Sequence, residues 1–245
     1  MKVKRKFITW GAFFLFALSM FLYALPLSYL FSWFGNTDKA RDTFHRIICN
    51  YFRFFAKHIP SVNVVVNGVE QDTFSKPAII ISNHQSHLDL LCLLMLTPRM
   101  VALTNNWVWK NPFYGKVIRY AQFYPVSDGL EQNTQRLKEL VKRGYSVLVF
   151  PEGTRSANCQ ILPFHQGAFY FANQLQVDIL PVMLHGPGKV LPKSDFTLYP
   201  GTMRIEIGKR VPYNSTQFGT TTKEQAKKWR HHYQQQYNQL SHECE

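Results

Sequence analysis

From Phe7 to Phe34 the chain has no Asp, Glu, Lys or Arg, and as one helix this run is long enough to cross a hydrocarbon core about 30 Å thick. Such a segment must be covered by lipid or by the chain's own core, so it constrains the fold more than any other feature. A cleaved signal peptide would have an apolar region of about 7–15 residues ending in a small-x-small site, a pattern this run lacks. Pro26 lies inside the run and removes one helical hydrogen bond, leaving open a single spanning helix or two short re-entrant helices. Lys2, Lys4, Arg5 and Lys6 precede the run and Lys39, Arg41 and Arg46 follow it, so both ends are expected on the cytoplasmic face.

Between Ala40 and Ile59, Phe44, Ile47, Ile48, Tyr51, Phe52, Phe54 and Phe55 fall largely on one helical face, with Arg46, Asn50, Arg53 and Lys57 opposite. This is the pattern of a basic amphipathic helix. Its apolar face suits either the boundary between headgroups and acyl chains or the core of the domain that follows. Residues 1–60 are therefore expected to be a membrane-attachment segment and residues 61–245 one globular domain.

Lys and Arg outnumber Asp and Glu by 28 to 15, a formal charge of +13 that attracts phosphate-bearing partners. No zinc-finger, RNA-recognition or basic-zipper pattern accompanies the charge, and the basic residues are interleaved with apolar and aromatic ones, which favours lipid over nucleic acid. The cysteines Cys49, Cys92, Cys159 and Cys244 make no CxxC pair or metal-ligand spacing. A reduced compartment and no metal site are expected.

Beyond Pro60, short β-branched runs alternate with helical stretches, which predicts an α/β domain. Strands are expected at Val62–Val66, Pro77–Ser82, Arg99–Thr104, Ser146–Phe150, Ile179–His185 and Met203–Ile207. Helices are expected at His87–Leu96, Pro112–Ala121, from Asp128 to Arg143 with a capping-box-like start at Asp128 and Glu131, near Gln166–Gln174, and from Lys223. Gly144 is a natural helix stop.

Two segments carry chemistry. The first, Ser82-Asn83-His84-Gln85-Ser86-His87-Leu88-Asp89, lies where an apolar strand ends and a helix begins. A neutral imidazole there can take the proton of an attacking hydroxyl, provided a carboxylate holds its other nitrogen. His84 and Asp89 would stand about 140° apart on a continuous helix, so a turn must bring them together. Spacing does not decide between His84 and His87 as the partner of Asp89, and Ser86-x-x-Asp89 also has the form of a simple capping box.

The second segment, Phe150-Pro151-Glu152-Gly153-Thr154-Arg155-Ser156, again follows an apolar strand. Gly153 lets the backbone come close to a ligand, and the Arg155 fork suits phosphate oxygens. An ordinary turn with an Arg–Glu surface pair has the same composition.

Taken together, the two segments resemble the glycerolipid acyltransferase family (1-acylglycerol-3-phosphate acyltransferase-like), whose NHxxxxD and FPEGTRS blocks are both complete here over roughly residues 77–185. The resemblance implies an α/β fold, a mixed sheet wrapped by helices, with an N-terminal membrane-anchoring helical segment. It implies His84 as general base and Asp89 as its orienting partner, with Glu152, Gly153, Thr154 and Arg155 binding the acceptor. Ile179-Leu180-Pro181-Val182 is similar to the family's later proline block, expected beside the acyl site.

The implied reaction moves an acyl group from acyl-CoA or acyl carrier protein to a lysolipid hydroxyl, with 1-acylglycerol 3-phosphate the first choice. No cofactor beyond the acyl donor, a membrane lipid partner and no nucleic acid are expected. One departure concerns the acceptor phosphate. Where many phosphatidate-forming members carry a lysine, this chain has Asn105-Asn106-Trp107, leaving Lys110, Lys116 or Arg119 as substitutes, or another lysolipid, such as an acylated amino acid, as acceptor. A serine hydrolase is disfavoured because the chain has no GxSxG elbow; a non-catalytic lipid-binding protein is the other alternative.

Overall fold

In the computed structural model, which describes residues 2–33, 37–112, 114–195 and 197–243, seven strands form one sheet. They are β1 (Val62–Asn67), β2 (Ile79–Ser82), β3 (Met100–Thr104), β4 (Tyr124–Pro125), β5 (Ser146–Val149), β6 (Ile179–His185) and β7 (Gly201–Ile207), in the order β1-β7-β6-β2-β5-β3-β4. Every neighbouring pair is parallel except β6 with β7, so the sheet is mixed as expected. Parallel strands covered on both faces need apolar side chains at every position. Accordingly β2, β5 and β6 are buried throughout, whereas β7, nearer the edge, alternates. The ends of β2, β5, β3 and β6 share one edge of the sheet, and the two sequence blocks follow β2 and β5 there.

The helices are α1 (Lys2–Ser19), α2 (Leu25–Trp33), α3 (Asp38–His58), α4 (Leu88–Leu94), α5 (Asn106–Trp109), α6 (Gly115–Tyr120), α7 (Leu130–Lys142), α8 (Gly167–Leu175), α9 (Pro187–Val190) and α10 (Thr222–Glu243). Helices α7, α8 and α10 pack as a row against β5, β2 and β6, and α3 packs on α4 and β1. Three short elements, β4, α5 and α9, were not expected, being too short to show a period. Helix α4 is shorter than His87–Leu96 because Pro98 disfavours helix at the residue before it, and the Arg53 guanidinium donates to the Met95 and Leu96 carbonyls at 2.7 and 3.1 Å.

Helix α6 likewise begins at Gly115, after a turn in which the Asn111 side chain accepts from the Tyr114 N–H; Phe113, in the expected Pro112 start, lies outside the described residues. The capping box at Asp128 does not form. Gly129, at φ 88°, takes the N-cap position of α7, and the Asp128 carboxylate pairs with Arg136 instead.

The N-terminal run stays helical from Lys2 to Trp33, through one π turn at Met20–Ala24. In an α-helix the Pro26 ring would meet the carbonyl of Leu22; the wider turn, closed by the Leu25 N–H on the Met20 carbonyl, comes just before it. The stretch Arg5–Phe31 is long and apolar enough to cross a membrane. One side of it touches the domain along its length. Thr9 Oγ1 accepts from Leu198 N at 2.8 Å, Ser19 Oγ meets Tyr51 Oη at 2.7 Å, and Phe31 packs edge-on against Phe44. The other side leaves Phe7, Trp10, Phe14, Phe21, Leu22 and Trp33 exposed.

Helix α3 is amphipathic, and its apolar face belongs to the core: Phe44, Ile48, Tyr51, Phe52 and Ala56 are buried, while Phe54 points outward. Of the two surfaces that this face suits in sequence, it meets the domain. A network of Asp42 with Arg99, Arg143 and Tyr145 then ties α3 to the strands beneath.

Candidate active site

The turn between β2 and α4 resolves the choice of histidine. His84 Nδ1 lies 2.8 Å from Asp89 Oδ2, while His87 stands exposed at the start of α4. The same Asp89 oxygen accepts from the backbone N–H of Gln85 at 2.6 Å and of Ser86 at 2.8 Å. The carboxylate therefore folds the loop back over the first helical turn, which solves the 140° separation and also fulfils the capping role. Asp89 is fully buried and only part of the His84 ring reaches solvent. The ring stacks on Phe150 with centroids 4.1 Å apart and planes 17° apart, which fixes its tilt.

A carboxylate oxygen only accepts, so Nδ1 carries the proton it gives to Asp89 and the Nε2 lone pair is left for a substrate proton. This tautomer follows from the hydrogen-bond pattern.

Asn83 extends the sheet past the end of β2. Its side-chain amide accepts from Leu184 N and donates to Leu184 O, both at 2.8 Å, as a strand neighbour would. Gln85, also buried, donates to the Cys159 carbonyl at 2.9 Å. Neither residue was singled out from the sequence; a polar residue repeatedly interrupting an apolar strand end was the available signal, but its partners lie far along the chain.

The block after β5 is bound to the same turn. Glu152 Oε1 accepts from His84 N at 2.9 Å and Oε2 from Leu162 N at 3.1 Å, and the Ser156 N–H donates to the His84 carbonyl at 2.7 Å. Burial pushes the Glu152 carboxyl up to about 7, Asp89 adding to the rise and the two backbone N–H groups opposing it. Both oxygens of Glu152 thus face backbone. Gly153 takes a φ of 66°, a value that disfavours any side chain, and with Thr154 is exposed. The partly exposed Arg155 is held through its carbonyl, which accepts from Lys193 Nζ at 2.6 Å.

The cationic substitutes for the missing lysine separate by environment. Lys116 Nζ sits 3.5 Å over the Tyr29 ring, and Arg119 donates to the Trp109 carbonyl at 2.7 Å. Lys110, at the end of α5, is exposed on the sheet edge that also carries His84 and Arg155. The Ile179–Val182 stretch lies wholly within β6, where Pro181 supplies no N–H; the Tyr233 hydroxyl of α10 donates to the nearby Ile81 carbonyl at 2.8 Å. Among the described residues no group of three His, Cys, Asp or Glu side chains is arranged to hold a metal ion.

A buried carboxylate behind an imidazole, with one ring nitrogen turned outward, defines a site able to move a proton to and from a hydroxyl substrate. The Acyltransferase family model matches residues 63–185, and the chain belongs to that family. A chloroplastic 1-acyl-sn-glycerol-3-phosphate acyltransferase of Brassica napus is 32% identical over 181 residues, 71% of this chain and 52% of the relative. The human 1-acyl-sn-glycerol-3-phosphate acyltransferase alpha is 29% identical, with 64% and 57% of the two chains covered. The chain spans about half the length of these relatives. Its fold is that of the 1-acyl-sn-glycerophosphate acyltransferase PlsC of Thermotoga maritima, at a TM-score of 0.78 and 23% identity, covering 99% and 97% of the two chains.

Proposed function

We propose that this chain transfers an acyl group from the thioester of acyl-CoA or acyl carrier protein to the free hydroxyl of a lysolipid, with 1-acylglycerol 3-phosphate the acceptor and phosphatidate the product. The observation that carries the reading is the His84–Asp89 hydrogen bond at 2.8 Å, made within the first sequence block, inside the stretch that matches the acyltransferase family, and braced by the second block through Glu152 and Ser156. Similarity to proteins named for 1-acylglycerol 3-phosphate supports the choice of acceptor.

In this mechanism the acceptor hydroxyl gives its proton to His84 Nε2 as its oxygen attacks the thioester carbonyl. Asp89 stabilises the imidazolium that forms. The tetrahedral intermediate collapses with loss of the thiolate, which takes the proton back from Nε2, leaving a free thiol and the acylated lipid. No acyl-enzyme is formed. General-base help is worth about 10²–10⁴-fold, and positioning of the two substrates supplies most of the remainder. Arg155 and Lys110 serve the acceptor phosphate, and Gly153 and Thr154 shape the approach. Glu152 acts one step back, holding the His84 backbone rather than the lipid.

Residues 1–60 serve as the attachment segment and residues 61–245 as the catalytic domain. Because α1 is bonded to the domain and α2 packs on it along the same side, their outward face is read as lying in the headgroup boundary, with the domain on the cytoplasmic side.

The test is mass spectrometry of products formed from one acyl donor and competing lysolipids. Acylation of 1-acylglycerol 3-phosphate above all others is the expected result. Preference for an acylated amino acid would replace the acceptor, and absence of any product from a protein that still binds vesicles would leave a lipid-binding protein.

A further inference from the structure

Behind the loop that carries Glu152 lies a cavity of about 680 Å³, within the size range of small-molecule sites. One face of α10 forms its wall through Arg230, Gln234, Tyr237 and Asn238, with Asn158 and Gln160 of the loop and Lys189 of α9 opposite. Among the described residues no carboxylate lines it. Arg230 is within electrostatic reach of Glu152, whose two oxygens are already committed to backbone N–H groups. The Arg230 Nε–H is buried without a hydrogen-bond partner, a costly arrangement for a guanidinium unless a ligand completes it.

The chemistry of these walls selects the occupant. Two permanent cations among amide and phenol groups are a poor lining for an acyl chain and a good one for a phosphate on a polar, hydrogen-bonding body. Two of the lining residues, Cys159 and Tyr237, are bonded to the active-site loop. Gln85, whose N–H is held by Asp89, donates its side-chain amide to the carbonyl of the lining residue Cys159 and accepts from Tyr237 Oη at 3.3 Å. Of the two substrates in the reading above, the acceptor has its own cations at Arg155 and Lys110, whereas the carrier of the acyl donor is the water-soluble, phosphorylated one.

We propose, resting on that reading, that the cavity between α9, α10 and the 158–161 loop seats the phosphorylated pantetheine arm of the acyl donor, with Lys189 and Arg230 on its phosphate. Coenzyme A and acyl carrier protein share this arm, and only the former adds a nucleotide.

Titration calorimetry of the full chain with coenzyme A, 4′-phosphopantetheine and pantetheine tests the assignment. Expected is tighter binding of both phosphorylated compounds than of pantetheine, a preference that falls about tenfold in Lys189→Gln and in Arg230→Gln. Stronger binding of coenzyme A than of 4′-phosphopantetheine would add the nucleotide to the site and make coenzyme A the carrier; equal binding would support the shared arm alone. Lys189 is exposed on a short helix, so its variant folds even if loss of Arg230 disturbs the loop around Glu152.

Pantetheine binding as tightly as its phosphorylated form, or a preference unmoved in Lys189→Gln, would overturn the assignment. So would a rise in the KM for the acceptor in place of that for acyl-CoA. The two readings fail separately. Phosphate-dependent binding that requires Lys189, in a protein that transfers no acyl group, would sustain the cavity and remove the activity; transfer with an acyl-CoA KM indifferent to both variants would do the reverse.

Discussion

Replacing Asp89 with Asn removes a buried negative charge and changes little else, and the structure says how large the effect should be. Oδ2 accepts from three groups, Gln85 N, Ser86 N and His84 Nδ1. An amide that turned its NH₂ toward His84 would face two backbone N–H groups with a donor, so the asparagine oxygen keeps that position and the His84 tautomer is retained. What is lost is the attraction between carboxylate and imidazolium. For charge centres about 4 Å apart at an effective dielectric constant near 20, this attraction is about 4 kcal/mol, or about three powers of ten in rate.

The remaining amide dipole offsets part of the loss, so kcat should fall by about 10²- to 10³-fold. Thiol release from the acyl donor, followed with a thiol-reactive dye at saturating acceptor, measures it, and a melting curve checks the fold. The double variant His84→Ala/Asp89→Asn should be no slower than His84→Ala alone, because residues that act as a unit do not add. An Asp89→Asn enzyme within about threefold of the parent, or fully multiplicative losses in the double variant, would refute this reasoning.

Glu152→Gln leaves one of the two backbone N–H groups facing an amide NH₂, a cost of about 1–3 kcal/mol that should lower the Tm by several degrees at neutral pH. Because the Glu152 carboxyl is raised from 4.5 to about 7 in the fold, its contribution to stability is complete below pH 4.5 and lost as pH rises through about 7. The Tm of the parent protein should therefore decline across that window more than that of Glu152→Gln, as differential scanning calorimetry at stepped pH will record. Arg155→Ala should raise the KM for 1-acylglycerol 3-phosphate about tenfold or more, with a smaller change for a lysolipid lacking phosphate; steady-state kinetics with both acceptors decide it.

The central sheet was legible because its inner strands have nowhere to place a polar residue: Ile79–Ile81, Val147–Val149 and Leu180–Leu184 are apolar in sequence and buried in the fold. Its mixed character was expected from the family resemblance, and the antiparallel join of β6 to β7 supplies it. The loop that holds His84 and Asp89 was readable as a candidate site from its place between an apolar strand and a helix, but spacing alone left His87 as an equal partner for Asp89 until the turn was seen. The partners that hold the turn were not. Asn83 meets Leu184, Gln85 meets Cys159, and His84 stacks on Phe150, contacts that span long stretches of sequence and leave no local period. Glu152 was grouped with the ligand-binding residues on its motif alone, and only the backbone of His84 and Leu162 reveals where its oxygens point. The N-terminal run was legible as apolar but not as two-sided, because Thr9, Ser19 and Ser28 look like incidental polar interruptions until Thr9 and Ser28 are seen buried and Ser19 bonded to Tyr51.

A single-turnover measurement on His84→Ala, with labelled acyl donor and 1-acylglycerol 3-phosphate both saturating, bears most directly on whether one imidazole nitrogen draws the proton from the acceptor. Labelled phosphatidate should form at least about 100-fold more slowly than in the parent protein while the melting temperature holds. Formation at the parental rate would mean that the proton leaves by another route and that the His84–Asp89 pair is structural.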